Sequence, residues 1–474
     1  MSNLPSSTVS PIVFIVKYSS LQGRLDAEYT RALLTIRVDS KYPKLPTRQI
    51  ASSKTGGTPS KSRPEYWEGD IPWASPKDFS SFYLSRTEDH ISKNAVLDSA
   101  TALVAPGTLL IVFRSGILQH SLPVTITCVE TAINQDLKAF LFCSDVSAEY
   151  VAAYFVVFGS RLLPLITKSG ATVQSINTEQ FDKLQIPVPP KHIQESVVTI
   201  LLAAYRAKQE KDEQAERLLA TLDDVLLEEL GITWTLEPVK PGDRIFLSTL
   251  SKVSGARWDP NYYLSMGRFL EVLKPCAFPL RKLKECIAIV QYGISERATA
   301  EVIGVPILRM LNLQDGGWDL ADMKYIATDD HERRAYLLRS GDILFNRTNS
   351  KELVGKCNVF DLQGDFVFAS YLMRVRLKNE CNLRPDYVVI YLGSSLGRLQ
   401  IDAVSRQIAG MTNVNAEEIR KLLVPFPPGH IQDRICKRVA EIRQEGARLR
   451  AQALAELETA KHSVESLILG AAVI

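Results

Sequence analysis

Two copies of one segment occur in this chain, and this internal repeat constrains the possible folds more than any other feature. The first copy, residues 176–194, reads INTEQFDKLQIPVPPKHIQ, and the second, residues 414–432, reads VNAEEIRKLLVPFPPGHIQ. Asparagine, a proline pair, histidine and glutamine fall at the same places in both copies. A repeat of this kind indicates two similar structural units with two similar surfaces. We therefore predict a molecule that binds its partner through two separate surfaces.

Weaker echoes extend the repeat towards the N-terminal side of each copy. The pattern Arg-x-Asp-x-x-Tyr occurs at residues 24–29 and again at residues 257–262. At the same separation along the chain, residues 46–48 (PTR) align with residues 279–281 (PLR). Each unit is thus expected to begin well before its copy of the long segment.

The middle of each unit has matching predicted strands and helices. Short apolar runs follow the glycine turns at Gly107 and Gly341, which is typical of buried strands. The predicted strands are residues 108–113, 342–345 and 366–377, and the predicted helices are residues 148–166 and 386–404. Strands and helices mixed in this way indicate an α/β (α+β) fold.

Each unit ends in a long amphipathic segment that follows the proline pair. Apolar residues recur at spacings of three and four from Ile193 to Leu230 and from Ile431 to Leu467, which predicts one apolar stripe on each of two helices. Gly231 is the expected end of the first helix. A helix of about forty residues is about 60 Å long. The two stripes would bury each other in an antiparallel pair, or each helix would fold back on its own domain; the repeat favours the pair because it supplies both partners.

Composition excludes several classes of protein. The chain has 474 residues, 46% of them hydrophobic and 23% charged, as in ordinary globular proteins with two to four domains. A net charge of +3 permits nucleic-acid binding without requiring it. The seven cysteines form no C-x-x-C pair, and their odd number argues against a disulfide framework. Neither a signal peptide nor a membrane-spanning segment is recognisable, so we expect a cytoplasmic protein without membrane contact.

No catalytic or metal-binding constellation is recognisable. The sequence around Gly56 and Gly57 lacks the G-x-x-x-x-G-K-[ST] pattern, and there is no G-x-G-x-x-G, H-E-x-x-H or G-x-S-x-G motif. The six histidines do not cluster with carboxylates or cysteines. His192 and His430 occupy one repeat position, where we expect them to pack or to cap a first helical turn. We predict a non-catalytic chain without a metal site.

Polar loops carry the residues best suited to nucleic acid. Residues 53–63 combine two glycines with Lys, Arg, Ser and Thr, and form either a solvated turn or a contact with phosphates and base edges. Arg114 follows the strand of the first unit, and residues 346–351 (NRTNSK) follow the matching strand of the second. Residues 168–172 and 405–412 form another matched pair. Loops that correspond in place but differ in residues predict two readers of different sequences.

Several of these segments closely resemble the DNA-specificity subunit of type I restriction–modification systems. The segments are GGTPS at residues 56–60, PEYW at 64–67, GDIPWASPKD at 69–78, RSGIL at 114–118, LPV at 122–124, AINQDLKA at 132–139 and FNRTNS at 345–350. The repeated I-N-x-E…I-P-x-P-P-x-x-x-Q element is similar to the family's junction into its helices. The likeness covers most of the chain, and residues 1–42 and 232–277 match less clearly.

The resemblance implies a fold and an assembly. It implies two target-recognition domains separated by two long antiparallel coiled-coil helices, related by a pseudo-twofold internal repeat. The implied boundaries are residues 1–190 for the first domain, 191–231 for the central spacer helix, 232–428 for the second domain and 429–474 for the C-terminal spacer helix. Each domain would read one half of a split, asymmetric site in double-stranded DNA. The helices would dock two methyltransferase subunits, restriction/translocase subunits would join them, and S-adenosylmethionine, ATP and Mg²⁺ would be bound by those partners, with no cofactor on this chain.

We assign candidate residues on this basis. The DNA-binding candidates are Lys54, Gly57, Thr58, Ser60, Lys61, Arg63, Lys77, Arg114, Lys168, Thr172, Arg309, Arg347, Asn349, Lys351, Arg406, Gln407 and Thr412. The partner-binding candidates on the helices are Ile193, Val197, Leu222, Leu226, Ile431, Ile435 and Leu457. Two alternatives remain: a DNA-modifying or DNA-cleaving enzyme with an unrecognised site, and a duplicated protein-binding adaptor that uses only its helices.

Overall fold

The computed structural model describes residues 27–36, 38–168, 174–234, 260–408 and 410–471. The chain divides into two compact units. Unit 1 comprises Met1–Glu210 and Gln452–Ile474, and unit 2 comprises Lys211–Ala451. The division falls inside both long helices, so each unit contains a part of each helix.

Unit 1 is built on mostly antiparallel strands with one core helix. Its strands are β1 (Lys44–Pro46), β2 (Ala51–Thr55), β3 (Ile71–Ala74), β4 (Tyr83–Leu84), β5 (Asp89–Ile91), β6 (Ala102–Val104), β7 (Leu109–Val112), β8 (Val124–Thr127), β9 (Thr131–Ile133), β10 (Leu137–Phe142) and β11 (Gln185–Pro187). Its helices are α1 (Ala27–Thr35), α2 (Thr47–Ile50), α3 (Lys93–Asp98), α4 (Ala148–Ile166), α5 (Thr178–Lys183) and the first part of α6 (Lys191–Ala220), with 3₁₀ turns at Pro64–Tyr66, Pro76–Asp78 and Gly116–Gln119.

The strands of unit 1 form two larger sheets. One sheet has the order β2-β10-β7-β8-β4, and the other has the order β5-β3-β9-β6. The pairs β3–β9 and β4–β8 are parallel. The predicted helix over residues 148–166 is confirmed as α4, which packs Tyr150, Phe155 and Phe158 against the first sheet in the main core. Among the described residues, α4 is the one helix long and apolar enough to cross a membrane, but most of its apolar side chains are buried in this core.

Unit 2 has the same kinds of elements. Its strands are β12 (Leu280–Lys282), β13 (Ile287–Tyr292), β14 (Val305–Leu308), β15 (Leu313–Gln314), β16 (Gly317–Trp318), β17 (Lys324–Ile326), β18 (Ile343–Asn346), β19 (Thr348–Asn349), β20 (Cys357–Val359), β21 (Val367–Phe368), β22 (Leu372–Leu377), β23 (Arg406–Ile408), β24 (Met411–Asn413) and β25 (Leu423–Pro425). Its helices are α7 (Leu222–Leu230), α8 (Pro260–Leu273), α9 (Asp330–Tyr336), α10 (Pro385–Gly393), α11 (Ser395–Val404) and α12 (Ala416–Lys421), with 3₁₀ turns at Leu283–Glu285 and Met310–Asn312. The long helix α13 (Gly429–Leu469) begins in this unit.

Two predicted elements of unit 2 are each divided in two. The helix predicted over residues 386–404 is interrupted at Ser394, whose hydroxyl accepts a hydrogen bond from the Gly397 amide and so starts a new helix. The strand predicted over residues 366–377 is divided into β21 and β22. The sheets of unit 2 have the orders β13-β22-β18-β20, β17-β14-β21 and β19-β24-β23. The predicted mixed α and β class is confirmed.

The long helices pack against each other inside unit 2. Leu226 and Ile435 lie in one buried cluster, and the Arg434 guanidinium binds the Glu229 carboxylate. Further along, Leu219 lies beside Gly446, so the residue numbers run in opposite directions and the pair is antiparallel. The first long helix is interrupted at Thr221, between α6 and α7. It ends, as predicted, at Gly231, which has a left-handed φ of 68°. In unit 1, Val197 of α6 and Leu457 of α13 likewise share one core.

The ion pair between the helices gives a pH-dependent prediction. Hydrogen bonds from Arg434, followed in importance by Arg438, lower the pKa of Glu229 below its ordinary value of 4.5. The carboxylate therefore stabilises the folded state fully above about pH 4.5, and this contribution is lost as the pH falls through the lowered pKa. We expect Glu229→Gln to lower the free energy of unfolding by about 1 kcal/mol at pH 7. Urea unfolding at pH 7 and at a series of lower pH values measures this; a difference that does not shrink as the pH falls below 4.5 would contradict it.

The repeated glutamine makes the same set of hydrogen bonds in both units. In unit 1, the Gln194 amide accepts a hydrogen bond from the Ser147 N–H and donates to the carbonyls of Asp145 and Pro189, all at 2.9 Å. In unit 2, the Gln432 amide likewise accepts from the Arg384 N–H and donates to the carbonyls of Asn382 and Pro427. Each glutamine thus joins the first turn of a long helix to the loop before a core helix. We call this arrangement the glutamine latch.

Two tyrosines and two asparagines repeat in the same way. The hydroxyls of Tyr150 and Tyr387 donate to the carbonyls of Pro187 and Pro425, at 2.7 and 3.0 Å. The side chains of the repeated asparagines, residues 177 and 415, cap the short helices α5 and α12. His192 and His430 are exposed, so the packing or capping role predicted for them is wrong. The repeated tyrosines pack and the repeated asparagines cap instead.

One predicted alignment is also wrong. Thr47 donates its N–H to the Leu184 carbonyl, and Leu283 donates its N–H to the equivalent Leu422 carbonyl. Thr47 therefore corresponds to Leu283 and not to Leu280, because backbone pairing, and not the Pro-x-Arg letters, defines the equivalence. The tyrosine of each Arg-x-Asp-x-x-Tyr pattern is described, but the arginine and aspartate lie outside the described residues.

The cysteines also depart from expectation. Cys286 and Cys381 form a disulfide, with their Cα atoms 5.4 Å apart. The pair joins the turn before β13 to the loop before α10. The two cysteines are 95 residues apart in the sequence. Cysteine spacing predicts only pairs that are close in sequence, so it did not predict this disulfide.

Candidate nucleic-acid interface

The same backbone junction supports the polar loops of both units. In unit 1, residue 114 bridges Ser175, and the Ile176 N–H donates to the Phe113 carbonyl at 2.8 Å. In unit 2, Thr348 pairs with Asn413, and the Val414 N–H donates to the Arg347 carbonyl at 2.9 Å. The end of a central strand is therefore fixed to the segment that follows the core helix. We call this the strand-end junction.

In unit 1 the junction presents Arg114 and Lys168 to solvent. Both side chains are exposed, and the Lys168 N–H donates to the Ser175 carbonyl at 2.9 Å. The Arg114 N–H donates to the Asp136 carbonyl at 3.2 Å, so its backbone is held on both sides. Thr172 lies outside the described residues.

The glycine turn at residues 56–57 lies beside the same loop. A Cβ on Gly56 would be 2.0 Å from the Ile133 carbonyl oxygen, and the Gly57 N–H donates to that oxygen at 3.0 Å. The glycines thus allow the chain's own backbone to approach closely, and Gly57 is buried. Thr58 is exposed and donates to the side chain of Gln135, an exposed residue that the sequence reasoning did not select.

The remaining DNA-binding candidates around this turn differ in whether their side chains are free to contact a partner or are bound within the unit. The side chains of Lys54, Ser60 and Lys61 are exposed, Lys54 on the edge strand β2. Arg63 lies over the Tyr66 ring, 5.2 Å from its centroid, and donates to its hydroxyl. Lys77 lies 2.9 Å from Asp89 and 3.0 Å from Glu88; hydrogen bonds to these carboxylates, Asp89 first, raise the pKa of Lys77. Its charge is neutralised within the unit, which weakens its candidacy.

In unit 2 the junction is widened into the small sheet β19-β24-β23. Asn349 lies opposite Thr412, and Thr412 lies opposite Gln407. Two loops selected separately from the sequence therefore lie side by side. Gln407 is exposed, Asn349 is half-buried with its amide 3.5 Å from the Met310 sulfur, and Thr412 is buried, which leaves it a backbone role.

Three basic DNA-binding candidates of unit 2 differ in how far carboxylates of the same unit already bind their side chains. Arg309 donates to Asp322 at 3.0 Å, and hydrogen bonds from Lys324 first and Arg309 second lower the pKa of Asp322. Arg406 binds Glu418 at 3.0 Å, while half of its side chain is exposed. Lys351 is exposed, and only its carbonyl has a described partner.

Arg347 lies at the centre of this surface. Its guanidinium lies over the Tyr292 ring, 4.8 Å from the centroid, and the backbone N–H of Arg347 donates to the Tyr371 carbonyl at 3.0 Å. Tyr292, Tyr371 and Met411 are exposed by 42%, 47% and 38%. The sequence reasoning missed all three. The structure shows that Tyr292-Gly293 occupies the place of Thr55-Gly56, before the same close backbone approach, but the two segments share only the glycine.

The predicted partner-binding residues are mostly internal. Within the described part of the chain, Val197, Leu226, Ile431, Ile435 and Leu457 are buried in the cores of their own units, and Ile193 and Leu222 are half-buried. A partner would therefore contact the outer sides of the helices. No group of His, Cys, Asp and Glu side chains among the described residues is arranged to hold a metal ion.

Comparison with known proteins gives consistent matches. Residues 44–217 match the family model described as type I restriction modification DNA specificity domain. The type I restriction enzyme EcoR124I/EcoR124II specificity subunit of Escherichia coli is 39% identical over 147 residues, which are 31% of this chain and 36% of that protein. The EcoKI specificity subunit of Escherichia coli K12 is 25% identical over 281 residues, 58% of this chain and 54% of that protein.

The matches cover only part of these relatives, between 36% and 54% of their length. Among solved structures, the type I restriction-modification system S subunit from M. genitalium aligns over 91% of this chain and 98% of that chain, with 11% identity and a TM-score of 0.42.

Proposed function

We infer that this chain, which carries a type I restriction modification DNA specificity domain over residues 44–217, is the DNA-recognition subunit of a type I restriction–modification complex. The single observation that carries the proposal is the strand-end junction of that domain, which recurs in unit 2 with different side chains. One unit would read one half-site and the other unit a different half-site, so the site would be bipartite and asymmetric.

The chemistry of the loops supports this proposal. In the major groove, arginine donates two hydrogen bonds to guanine, whereas asparagine donates one to N7 of adenine and accepts one from its N6 amino group. Unit 1 presents Arg114 and unit 2 presents Arg347 and Asn349 at corresponding junctions. Exposed lysines around them, Lys54, Lys61 and Lys168 in unit 1, suit phosphate contacts that position the duplex.

The partners and cofactors form part of the proposal. Two methyltransferase subunits would dock on the outer sides of the long helices, and restriction/translocase subunits would complete the complex in the cytoplasm. S-adenosylmethionine, ATP and Mg²⁺ would be bound by those subunits, and this chain would contribute recognition without bond chemistry.

A methylation map tests the proposal. Long-read sequencing of a host with this gene and its neighbouring methyltransferase gene should show methylated adenines in one bipartite motif. Deletion of this gene alone should abolish that methylation while the methyltransferase protein is still made. Methylation that is unchanged without this chain, or a motif that is not split, would refute the proposal.

Arg114→Ala should alter one half-site only. If the guanidinium contacts a base, we expect discrimination at one position to fall about tenfold, with the other half-site unchanged. Competition binding by the assembled complex, with each base pair of the site substituted in turn, measures this. A uniform loss over all sequences with a weaker salt dependence would instead assign Arg114 to a phosphate.

A further inference from the structure

The environment of Arg347 distinguishes it from an ordinary surface arginine. Its guanidinium lies over the Tyr292 ring, and its Nη1 donates to the Ser370 carbonyl at 3.4 Å. Its Nε is buried without a hydrogen-bond partner. Among the described residues, no other hydrogen bond holds the two terminal nitrogens. The guanidinium is therefore held in place by an aromatic face while its outer edge keeps donor capacity.

Tyr292 is itself fixed at both ends. Its backbone pairs with Met373 in the central sheet of unit 2. Its hydroxyl accepts a hydrogen bond from the Ala416 N–H at 3.1 Å, at the start of α12. At the adjoining Gly293 the backbone packs closely against a neighbouring strand, since an added Cβ would lie 2.3 Å from the Phe368 carbonyl oxygen and 2.4 Å from that of Ala369. The ring is therefore a rigid support for Arg347.

The corresponding place in unit 1 is filled differently. Phe113 occupies the position of Arg347, and the Lys138 ammonium lies 4.7 Å from the centre of the Phe113 ring. Lys138 uses one of its three N–H donors on the Thr178 hydroxyl, at 3.0 Å, so this cation is held by a neighbour inside the unit. Unit 2 exchanges the roles of ring and cation, and places at the junction a planar cation with unused donors.

We propose that Tyr292 is a positioning residue that presents the Nη edge of Arg347 to a guanine in the half-site read by unit 2. Guanine offers two acceptors, N7 and O6, on its major-groove edge, and a rigid arginine fork matches both. Stacking on an aromatic face restricts the guanidinium without using its in-plane donors. This inference rests on the proposed function and adds the base class and the residue that orients the reader.

The test uses the assembled complex and the site found by methylation mapping. Binding is measured to the cognate duplex, to duplexes with each base pair substituted, and to duplexes with single guanines replaced by 7-deazaguanine, which lacks the N7 acceptor. The variants are Arg347→Lys, Tyr292→Leu and Tyr292→Phe. Arg333→Lys is the matched control, because Arg333 is a partly exposed arginine of unit 2 paired with Asp365.

The expected pattern is specific to one base. Arg347→Lys should reduce discrimination at one guanine about tenfold, and 7-deazaguanine there should weaken the wild-type complex but not this variant. Tyr292→Leu should lower discrimination at the same guanine about threefold. Tyr292→Phe keeps the ring but loses the bond from the Ala416 N–H, so it should lower discrimination less than Tyr292→Leu does. Arg333→Lys should leave the profile unchanged.

Three results separate the possible failures. Equal weakening on every sequence would make Arg347 a phosphate contact, and an unchanged base profile with a lower melting temperature would make the pair structural; either overturns the inference while the proposed function stands. If Tyr292→Leu does not fold, Arg347→Lys and Tyr292→Phe still decide. A wild-type complex without any bipartite site would refute the proposed function itself.

Discussion

Gly293→Ala should lower the free energy of unfolding of unit 2 by about 3 kcal/mol, near the upper end of what overpacking costs. The added Cβ would lie 2.3 Å from the Phe368 carbonyl oxygen and 2.4 Å from that of Ala369. The backbone cannot retreat without loss, because the neighbouring Ile294 N–H donates to the same Phe368 carbonyl at 2.9 Å. Both obstacles are backbone atoms, so no side-chain rotation relieves the overlap.

Urea unfolding of the full chain measures this effect. Gly267→Ala is the matched control, because Gly267 is exposed on α8 and its added Cβ would meet nothing within 4 Å. That substitution should be neutral or stabilise by up to about 1 kcal/mol through helix propensity. Equal stability of the two variants would show that the backbone around Gly293 tolerates the extra atom, contrary to the geometry.

Gln432→Ala should destabilise unit 2 by about 3 kcal/mol, because it breaks the glutamine latch and leaves buried backbone groups unpaired. The amide oxygen accepts from the Arg384 N–H at 2.8 Å, and the amide nitrogen donates to the carbonyls of Asn382 at 2.8 Å and Pro427 at 2.9 Å. The side chain is fully buried, so water replaces these bonds poorly.

A volume-matched variant separates hydrogen bonding from packing. Gln432→Glu keeps the acceptor for Arg384 but turns a carboxylate oxygen towards two carbonyls, so it should cost at least as much as alanine. Gln444→Ala, at an exposed position of the same helix, should change the free energy of unfolding by less than about 0.5 kcal/mol. Thermal unfolding of all three variants gives the comparison, and a stable Gln432→Glu would contradict the latch.

Local sequence signals predicted part of the fold well. The repeat, α4, the end of the first long helix at Gly231 and the start of the second after the proline pair depend on neighbouring residues, and each is present. The break at Ser394 and the Thr47–Leu283 equivalence depend on hydrogen bonds that the sequence does not display. The correspondence of Gly56 with Gly293 was missed because it rests on a close backbone approach and not on shared letters.

The candidate surface was predictable only in outline. Arg114, Arg347 and Asn349 lie where the strands predicted from apolar runs end, so position along the chain was sufficient to find them. Availability was not predictable, because Lys77 is neutralised by carboxylates that come later in the chain, and Thr412 is covered by tertiary packing. The supporting role of Tyr292 likewise arises from a contact between residues distant in sequence.

The strand-end junction is made from main-chain atoms in both units. Replacing a side chain there leaves these main-chain bonds in place, although the bond from the Thr348 hydroxyl to the Asn413 side chain at 2.7 Å also joins the two strands in unit 2. A new side chain at these positions can therefore change what the loop contacts while the main-chain frame of the junction stays the same.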